Sequence, residues 1–299
     1  MNISIIIPTY NGGATLADVL QGISVQDLQP NELIVIDSSS SDSTARIAKE
    51  YGAQLVVIPQ IAFGHGKTRN AGAKLAQSDI LVFLNQDAIP RDMKWLETLV
   101  NPLLVDRTIV ATFSRQIARD EAPPMEKYFY MRMYSDTSYT LTRDTCPWPG
   151  VSFSTASSAI RREFLVSRPF AEDILMSEDQ EWAKRVIEQG HSIRYVHDSA
   201  VTHSHDIKLD KLFARYFCFG VSHSEISAKG YSQESLTGGF LHAFGEIEYL
   251  LEMKQYCWIP RSVVYNGTKF FGLLLGRHHK YLPMALKRRC TGSYSGYWQ

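Results

Sequence analysis

The run Ile80-Leu81-Val82-Phe83-Leu84-Asn85-Gln86-Asp87-Ala88 decides how this chain is read. Its first five residues form an uninterrupted apolar stretch, with the length and composition of a strand covered on both faces. Two amides and a carboxylate follow at once, so a polar tip emerges where the strand leaves the core. Open parallel sheets bind ligands at the carboxyl ends of their strands. A carboxylate there suits a divalent cation that escorts a phosphorylated ligand. The ordinary alternative is a turn that caps the next helix; the flanking sequence argues for the ligand.

Upstream, strands and helices alternate. Ile3 to Pro8 reads as a strand, and Gly12-Gly13 opens a helix that runs to Val25. Glu32 to Asp37 is a second strand, followed by a helix from Asp42 to Tyr51 that Gly52 stops. Leu55 to Ile58 is a third strand and Lys67 to Gln77 a helix, before the strand at Ile80 to Leu84. This rhythm implies an α/β chain with a Rossmann-like, mostly parallel sheet flanked by helices.

Downstream the rhythm loosens. Trp95 to Leu104 reads as a helix, Thr108 to Ile117 as a strand, and Asp120 to Gly150 as a long functional loop enclosing a short helix. A helix from Ser177 to Gln189 carries a Ser177/Gln180 capping box and a Gly190 stop. Two short strands are expected at Ser192 to Val196 and Ala200 to His203, then a helical, basic extension. The expected divisions are 1–118, 119–207 and 208–299.

Composition bounds the class. With 299 residues, 44% hydrophobic and 21% charged, the chain has ample core and the balance of a globular protein. Met1 leads straight into a strand, so no signal peptide is read, and no apolar run is long enough to span a bilayer. Cys146, Cys218, Cys257 and Cys290 are scattered without a C-x-x-C pair, which argues against a disulfide framework or thiolate metal site and for a cytoplasmic location. Net charge is zero, yet Met253 to Gln299 holds no Asp or Glu and carries Lys254, Arg261, Lys269, Arg277, Lys280, Lys287, Arg288 and Arg289 among aromatic residues. Such a tail can mean an anionic membrane surface, a nucleic acid or a solvated helical face. The expectation is peripheral placement on the cytoplasmic face of the inner membrane, with no nucleic-acid partner.

Several segments bring chemistry to one rim. Pro8-Thr9-Tyr10-Asn11 leaves the first strand and Asp37-Ser38 the second, where an acid can accept hydrogen bonds from a ribose or a base. No G-x-G-x-x-G follows the first strand, against a dinucleotide cofactor. Gly66-Lys67-Thr68 ends like a P-loop, but Ile61 occupies the place of that motif's first glycine. In Phe63-Gly64-His65-Gly66-Lys67-Thr68-Arg69-Asn70 the glycines permit close backbone approach. Lys67 and Arg69 in a helix's first turn make a candidate diphosphate cradle, with Arg69 able to fork; the ordinary alternative is a solvated helix start. Asp179 lies in the first turn of the capped helix, where the dipole favours its ionised form. His203-Ser204-His205 follows a strand pattern whose period-two geometry points both imidazoles to one face as candidate metal or phosphate ligands.

Taken in order, Ile5-Ile6-Ile7-Pro8-Thr9-Tyr10-Asn11, Val35-Ile36-Asp37-Ser38-Ser39-Ser40-Ser41-Asp42-Ser43-Thr44, Asn85-Gln86-Asp87 and Glu178-Asp179 resemble the family 2 glycosyltransferases of GT-A fold. The match covers about the first 205 residues, and the ordered set is more specific than any member of it. Phe63 to Asn70 and Gln86-Asp87-Ala88 resemble the bacterial rhamnosyltransferase branch. Asn85 departs from the pattern, standing at the first acid of the family's D-x-D.

The resemblance implies a metal-assisted, inverting transfer of a sugar, rhamnose from dTDP-rhamnose, to a glycan or polyprenyl-linked saccharide in cell-surface polysaccharide synthesis. Residues 1–118 would bind the nucleotide-diphosphate sugar and 119–207 the acceptor. Pro8, Thr9, Tyr10, Asn11, Asp37, Ser38, His65, Lys67, Arg69, Gln86 and Asp87 would contact the donor, with Asp37 reading the base. Asp87 and His203 would hold Mg²⁺ or Mn²⁺, and Asp179 would be the general base. Trp148, Phe153, Arg161 and Glu178 are expected at the acceptor. Two rivals remain open: a sugar nucleotidyltransferase, although Asn11-Gly12-Gly13-Ala14 lacks the basic residue of a triphosphate loop, and a non-catalytic sugar-nucleotide-binding, membrane-docking module.

Overall fold

The computed structural model describes residues 2–145, 153–204, 208–226, 234–292 and 297–298. The chain forms two compact units, Met1–Arg119 with Tyr130–Glu172 and Glu178–Ser204, and Asp120–Phe129 with Asp173–Ser177 and His205–Gln299. The expected boundary at residue 118 therefore cuts through one unit. Trp148, expected at an acceptor, and His205 lie outside the described residues.

The first unit is built on one sheet. Its strands are β1 (Ile3–Thr9), β2 (Glu32–Asp37), β3 (Gln54–Val57), β4 (Ile80–Leu84), β5 (Ile89–Pro90), β6 (Ile109–Ile117), β7 (Tyr139–Leu141), β8 (Ser157–Arg161) and β9 (Ser192–Thr202). They run in the order β3-β2-β1-β4-β8-β6-β9-β5, with β7 on β9. The half from β3 to β4 is parallel throughout, as the alternating sequence requires. Then β8 enters antiparallel to both β4 and β6, so the sheet is mixed beyond β4. Nothing in Ser157-Ser158-Ala159-Ile160-Arg161 announces a central strand; its small polar residues are buried on both faces. The two strands expected between Ser192 and His203 are one, β9, whose register jumps from Ser114↔Val196 to Arg115↔Ala200. Within the expected loop, Pro124–Met133 is a helix and β7 adds a strand.

Helices α1 (Leu16–Ser24), α2 (Thr44–Glu50), α3 (His65–Leu75), α4 (Trp95–Val105), α5 (Pro124–Met133), α6 (Arg162–Ser167) and α7 (Glu178–Glu188) follow in chain order. Helix α1 buries Leu16, Val19, Leu20 and Ile23, the i, i+3, i+4, i+7 stripe of an amphipathic helix. These side chains share a core with Ile5, Ile7, Val82 and Leu84 of the sheet and with Trp95, Leu96 and Leu99 of α4. Each fully buried aliphatic side chain contributes about 1.5–3 kcal/mol. Gly52 and Gly190 end α2 and α7 in left-handed backbone, at φ 72° and 87°. The expected capping box is absent: Ser177 has φ 64° and its hydroxyl has no hydrogen-bond partner among the described residues. Asp179 instead accepts from the Gln180 N–H at 2.8 Å.

In the second unit, α8 (Leu209–Ile226), α9 (Glu234–Glu252), α10 (Ile259–Arg277) and α11 (Met284–Thr291) form the expected helical extension. Helices α8 and α10 touch backbone to backbone: a Cβ on Gly276 would come within 2.1 Å of the Phe217 carbonyl oxygen. Among the described residues no helix is long and apolar enough to cross a membrane.

Two residues expected at the acceptor belong to the interior. Phe153 is fully buried against Phe113 and Trp182. Arg161 ends β8 with its guanidinium turned inward, donating to the carbonyls of Ile109 (3.0 Å), Leu103 (2.6 Å) and Asp106 (3.2 Å). It closes the end of α4 onto the sheet. Arg161→Met keeps the stem but leaves those carbonyls unpaired, which costs about 3 kcal/mol. Urea unfolding should show a lower midpoint at unchanged slope, with nucleotide affinity intact; lost transfer at wild-type stability would return Arg161 to the acceptor.

Candidate active site

The carboxyl ends of β1, β2 and β4 meet at one edge because the register aligns Thr9 with Asp37 and Ile6 with Phe83. Past the last backbone rung, Gln86 extends the ladder with its side chain. Its Oε1 accepts from Tyr10 N at 2.9 Å and its Nε2 donates to Tyr10 O at 3.1 Å. Gln86 thus fixes the β1 exit and leaves Tyr10 exposed. Asn11, left-handed at φ 47°, accepts from Ser41 N at 2.9 Å and donates its own N–H to Ser40 Oγ at 2.8 Å. Pro8 is half-buried behind it.

Asp37 is 1% exposed rather than open at the rim. Its Oδ1 accepts from Thr9 Oγ1 (2.9 Å) and Ser40 Oγ (2.5 Å), and its Oδ2 from Ser40 N (2.9 Å). A carboxylate offers about four lone-pair sites, so one on Oδ2 remains for a ligand. The neighbouring Ser38 hydroxyl is buried without a hydrogen-bond partner among the described residues.

Helix α3 separates the two cations that the sequence grouped. It starts at His65, two residues earlier than expected, and buries Gly66, Arg69, Asn70 and Ala73 along one stripe. Residues two apart on a helix face nearly opposite ways, so Lys67 is exposed while Arg69 points inward. Arg69 Nη1 pairs with Glu178 Oε1 at 2.6 Å and Nη2 reaches Asn85 Oδ1 at 3.3 Å. Two expectations change. Arg69 is not presented to a diphosphate, and Glu178, 3% exposed and holding Arg69, is not presented to an acceptor. His65 is half-buried, its ring 5.1 Å from that of Phe63.

Asp87 and His203 come together. His203 Nε2 lies 3.3 Å from Asp87 Oδ1, and its Nδ1 is 2.7 Å from Gln116 Oε1. An amide oxygen there accepts from Nδ1–H and turns Nε2 toward Asp87. With Nε2 deprotonated, the pair would offer one imidazole nitrogen and one carboxylate oxygen to a shared cation. Mg²⁺ and Mn²⁺ are commonly held by one or two protein groups with substrate phosphates completing the shell. Among the described residues no group of three or more His, Cys, Asp or Glu is placed to hold a metal ion.

Asp179 lies at the start of α7, its Oδ2 accepting from Thr155 N (3.0 Å) and Thr155 Oγ1 (3.2 Å). Burial, and then the neighbouring Glu178 carboxylate, raise its pKa above the ordinary aspartate value, against the lowering influence of Arg69. Sequence reasoning missed Gln116 and Thr155.

A model of glycosyl transferase family 2 matches residues 4–167. The O-antigen chain rhamnosyltransferase WbaN of Salmonella anatum is 33% identical over 305 residues, covering 99% of this chain and 95% of the relative. RfbN of Salmonella typhimurium, also named an O-antigen chain rhamnosyltransferase, is 33% identical over 308 residues, covering 100% and 96%. Among solved structures, glucosyl-3-phosphoglycerate synthase from Mycobacterium tuberculosis with Mn²⁺, UDP-glucose and phosphoglyceric acid matches with a TM-score of 0.58 at 23% identity, covering 77% of this chain and 81% of that one. The fold is GT-A, as the resemblance implied.

The Asp87–His203 pair makes a prediction about metal. Asp87→Ala should abolish Mn²⁺ binding in the presence of nucleotide. Gln116→Leu, which frees the imidazole to turn, should weaken it by about 10–100-fold. Electron paramagnetic resonance titration of Mn²⁺ reads both, and wild-type affinity in both variants would remove the pair from the metal site.

Proposed function

Because the chain belongs to glycosyl transferase family 2, we propose that it transfers rhamnose from dTDP-rhamnose, with inversion, to a saccharide or polyprenyl-linked acceptor of a cell-surface polysaccharide. Family membership displaces the nucleotidyltransferase reading. The rhamnosyl assignment draws on the two Salmonella relatives, which match over nearly the whole chain.

The observation that carries the mechanism is Asp179, a carboxylate held by Thr155 and Gln180 and made more basic by burial. In the proposed step Asp179 takes the proton of the acceptor hydroxyl. The acceptor oxygen bonds to the anomeric carbon from the face opposite the diphosphate, whose C–O bond breaks in the same in-line displacement. Pro8, Thr9, Tyr10, Asn11, Asp37 and Ser38 hold the nucleoside, with Asp37 accepting through its remaining lone pair. Lys67, exposed in the first turn of α3, offsets the diphosphate's charge together with the helix N-terminus. Asp87 and His203 would hold a divalent cation, which would supply further positive charge to the leaving diphosphate.

Asp179→Asn tests the base. The amide keeps one acceptor oxygen for Thr155 or Gln180, so folding and nucleotide affinity should persist while turnover falls about 10²–10⁴-fold. In the native enzyme the base must be ionised, so kcat should fall with acid along a limb centred above the ordinary aspartate value of 3.8. In a thermal-shift panel of UDP, dTDP, GDP and CMP sugars, dTDP-rhamnose should give the largest shift. Near wild-type turnover in Asp179→Asn would move the base elsewhere, and a clear preference for a GDP-sugar would reject the donor.

We further propose that the helical unit docks on an anionic membrane surface. Helix α9 exposes Phe240, Phe244 and Leu251 along one face, and α10 exposes Val263, Val264 and Phe271. Lys254, Arg261, Lys280, Arg288 and Arg289 are exposed in the same unit, with no acidic residue after Glu252. Apolar area plus basic charge is the composition of an interfacial surface. Co-sedimentation with phosphatidylglycerol vesicles should weaken as salt rises, and absence of binding at low salt would leave these helices solvated or self-associating.

A further inference from the structure

The stretch from Gly66 to Asn70 is fastened to the chain that leads into α7. Arg69 and Glu178, 109 residues apart, form an ion pair of 2.6 Å whose side chains are 7% and 4% exposed. Asn70 Nδ2 donates to Phe170 O and Glu172 Oε1, both at 2.9 Å, and its Oδ1 accepts from Phe170 N at 3.1 Å. Gly66 lies so close to this segment that a Cβ would come within 2.1 Å of the Ala171 carbonyl oxygen. The first turns of α3 therefore grip residues 170–172 on one side and Glu178 on the other.

We propose that Arg69 is a positioning residue for Asp179, acting through Glu178, and that Asn85 replaces an acid because Arg69 already has one carboxylate to neutralise. The proposal rests on Asp179 as the base and adds what sets its charge environment. Glu178 and Asp179 are consecutive carboxylates, the first buried and the second half-buried. Two unpaired anions there would repel, and one would hold its proton. The Arg69 fork cancels Glu178 and so leaves Asp179 free to ionise. An aspartate at 85 would face the same guanidinium through the 3.3 Å contact that Asn85 now makes, and would compete with Glu178 for it. The charged and titratable groups that act on Asp179 are Glu178, Arg69 and the buried Tyr134 hydroxyl; Thr155 and Gln180 contribute neutral donors.

The sign of each substitution follows. Removing the guanidinium leaves Glu178 negative, so Asp179 holds its proton to higher pH. Removing the Glu178 charge leaves Arg69 positive beside Asp179, so the proton leaves at lower pH. Removing both restores neutrality.

The test is the acid limb of kcat against pH in Arg69→Gln, Glu178→Gln, the double variant and Asn85→Asp, with dTDP affinity measured in each by calorimetry. Arg69→Gln should move the limb up by about one pH unit or more and Glu178→Gln should move it down, magnitudes usual for a charge within a few ångströms. The double variant should return toward wild type. Asn85→Asp should move the limb up. Nucleotide affinity should stay within about threefold, which is less than 1 kcal/mol. If Arg69→Gln weakens dTDP binding about tenfold or more while its limb stays put, Arg69 serves the diphosphate and the proposal fails. Should Arg69→Gln not fold by circular dichroism, Glu178→Gln and Asn85→Asp carry the same opposed shifts, and coincident profiles in those two overturn it. Asp179→Asn separates the two readings. Inactive Asp179→Asn with unshifted profiles elsewhere overturns only the role of Arg69, whereas active Asp179→Asn overturns the base and this inference with it.

Discussion

The parallel pairing of β1 with β2 and β4 is the constraint on which the rim depends. Strand side chains alternate faces, so a slip of one residue would exchange core and rim at every position. The observed register places Ile5 beside Val82 and Thr9 beside Asp37, which lets Thr9 Oγ1 donate to the Asp37 carboxylate. Both faces of β4 are buried and apolar, so its composition alone does not specify the register; the polar Asn85-Gln86-Asp87 that follows marks where the strand must end. Where backbone pairing ends, Gln86 continues it with two amide hydrogen bonds to Tyr10. Two chain exits are thereby held in fixed relation without further strand.

Local pattern explains what was legible in the fold. β1, β2, β3 and β4 are short apolar runs separated by helical stripes and glycine stops, and they stand within about a residue of their expected places. β8 was not legible, because Ser157, Ser158 and Ala159 carry no strand signal. Their burial is permitted by partners elsewhere: Ser157 Oγ accepts from Trp95 Nε1 at 3.0 Å and meets Ser114 Oγ at 2.8 Å. A strand stabilised by a distant tryptophan and serine cannot be read from its own composition. The same applies to Ser177, whose S-x-x-Q pattern promised a cap that a left-handed backbone precludes.

The site was legible to the extent that strand ends define it. Residues at the tips of β1, β2 and β4 and at the start of α7 stand at the element ends where ligand groups are expected, while those judged by residue type alone do not. Arg161 was expected at the acceptor with Trp148 and Phe153; its burial and three carbonyl acceptors make it a clamp. Arg69 looked like a diphosphate ligand because it neighbours Lys67. Helical period puts the two on opposite faces, and its partner lies far along the chain. Period was available in the sequence, and distance was not.

The Asn85 substitution ties these threads into a charge argument about donor binding. With Asn85 neutral and His203 held in its Nδ1–H form by Gln116, the proposed metal site offers one carboxylate and one imidazole. A site carrying a single negative charge attracts a divalent cation less than a two-carboxylate site does, since each removed anion removes a Coulomb attraction that burial would magnify. A nucleoside diphosphate brings the missing negative charge. On the proposed function, cation and donor would each bind weakly alone and strongly together, and that mutual dependence would be a coupling free energy of the kind that must act equally in both directions. The exposed Lys67 would add a fixed positive charge on the diphosphate side, which would favour the loaded pair without favouring the free cation. Replacing an acid by an amide at the tip of β4 thus changes the order of affinities more than it changes the chemistry.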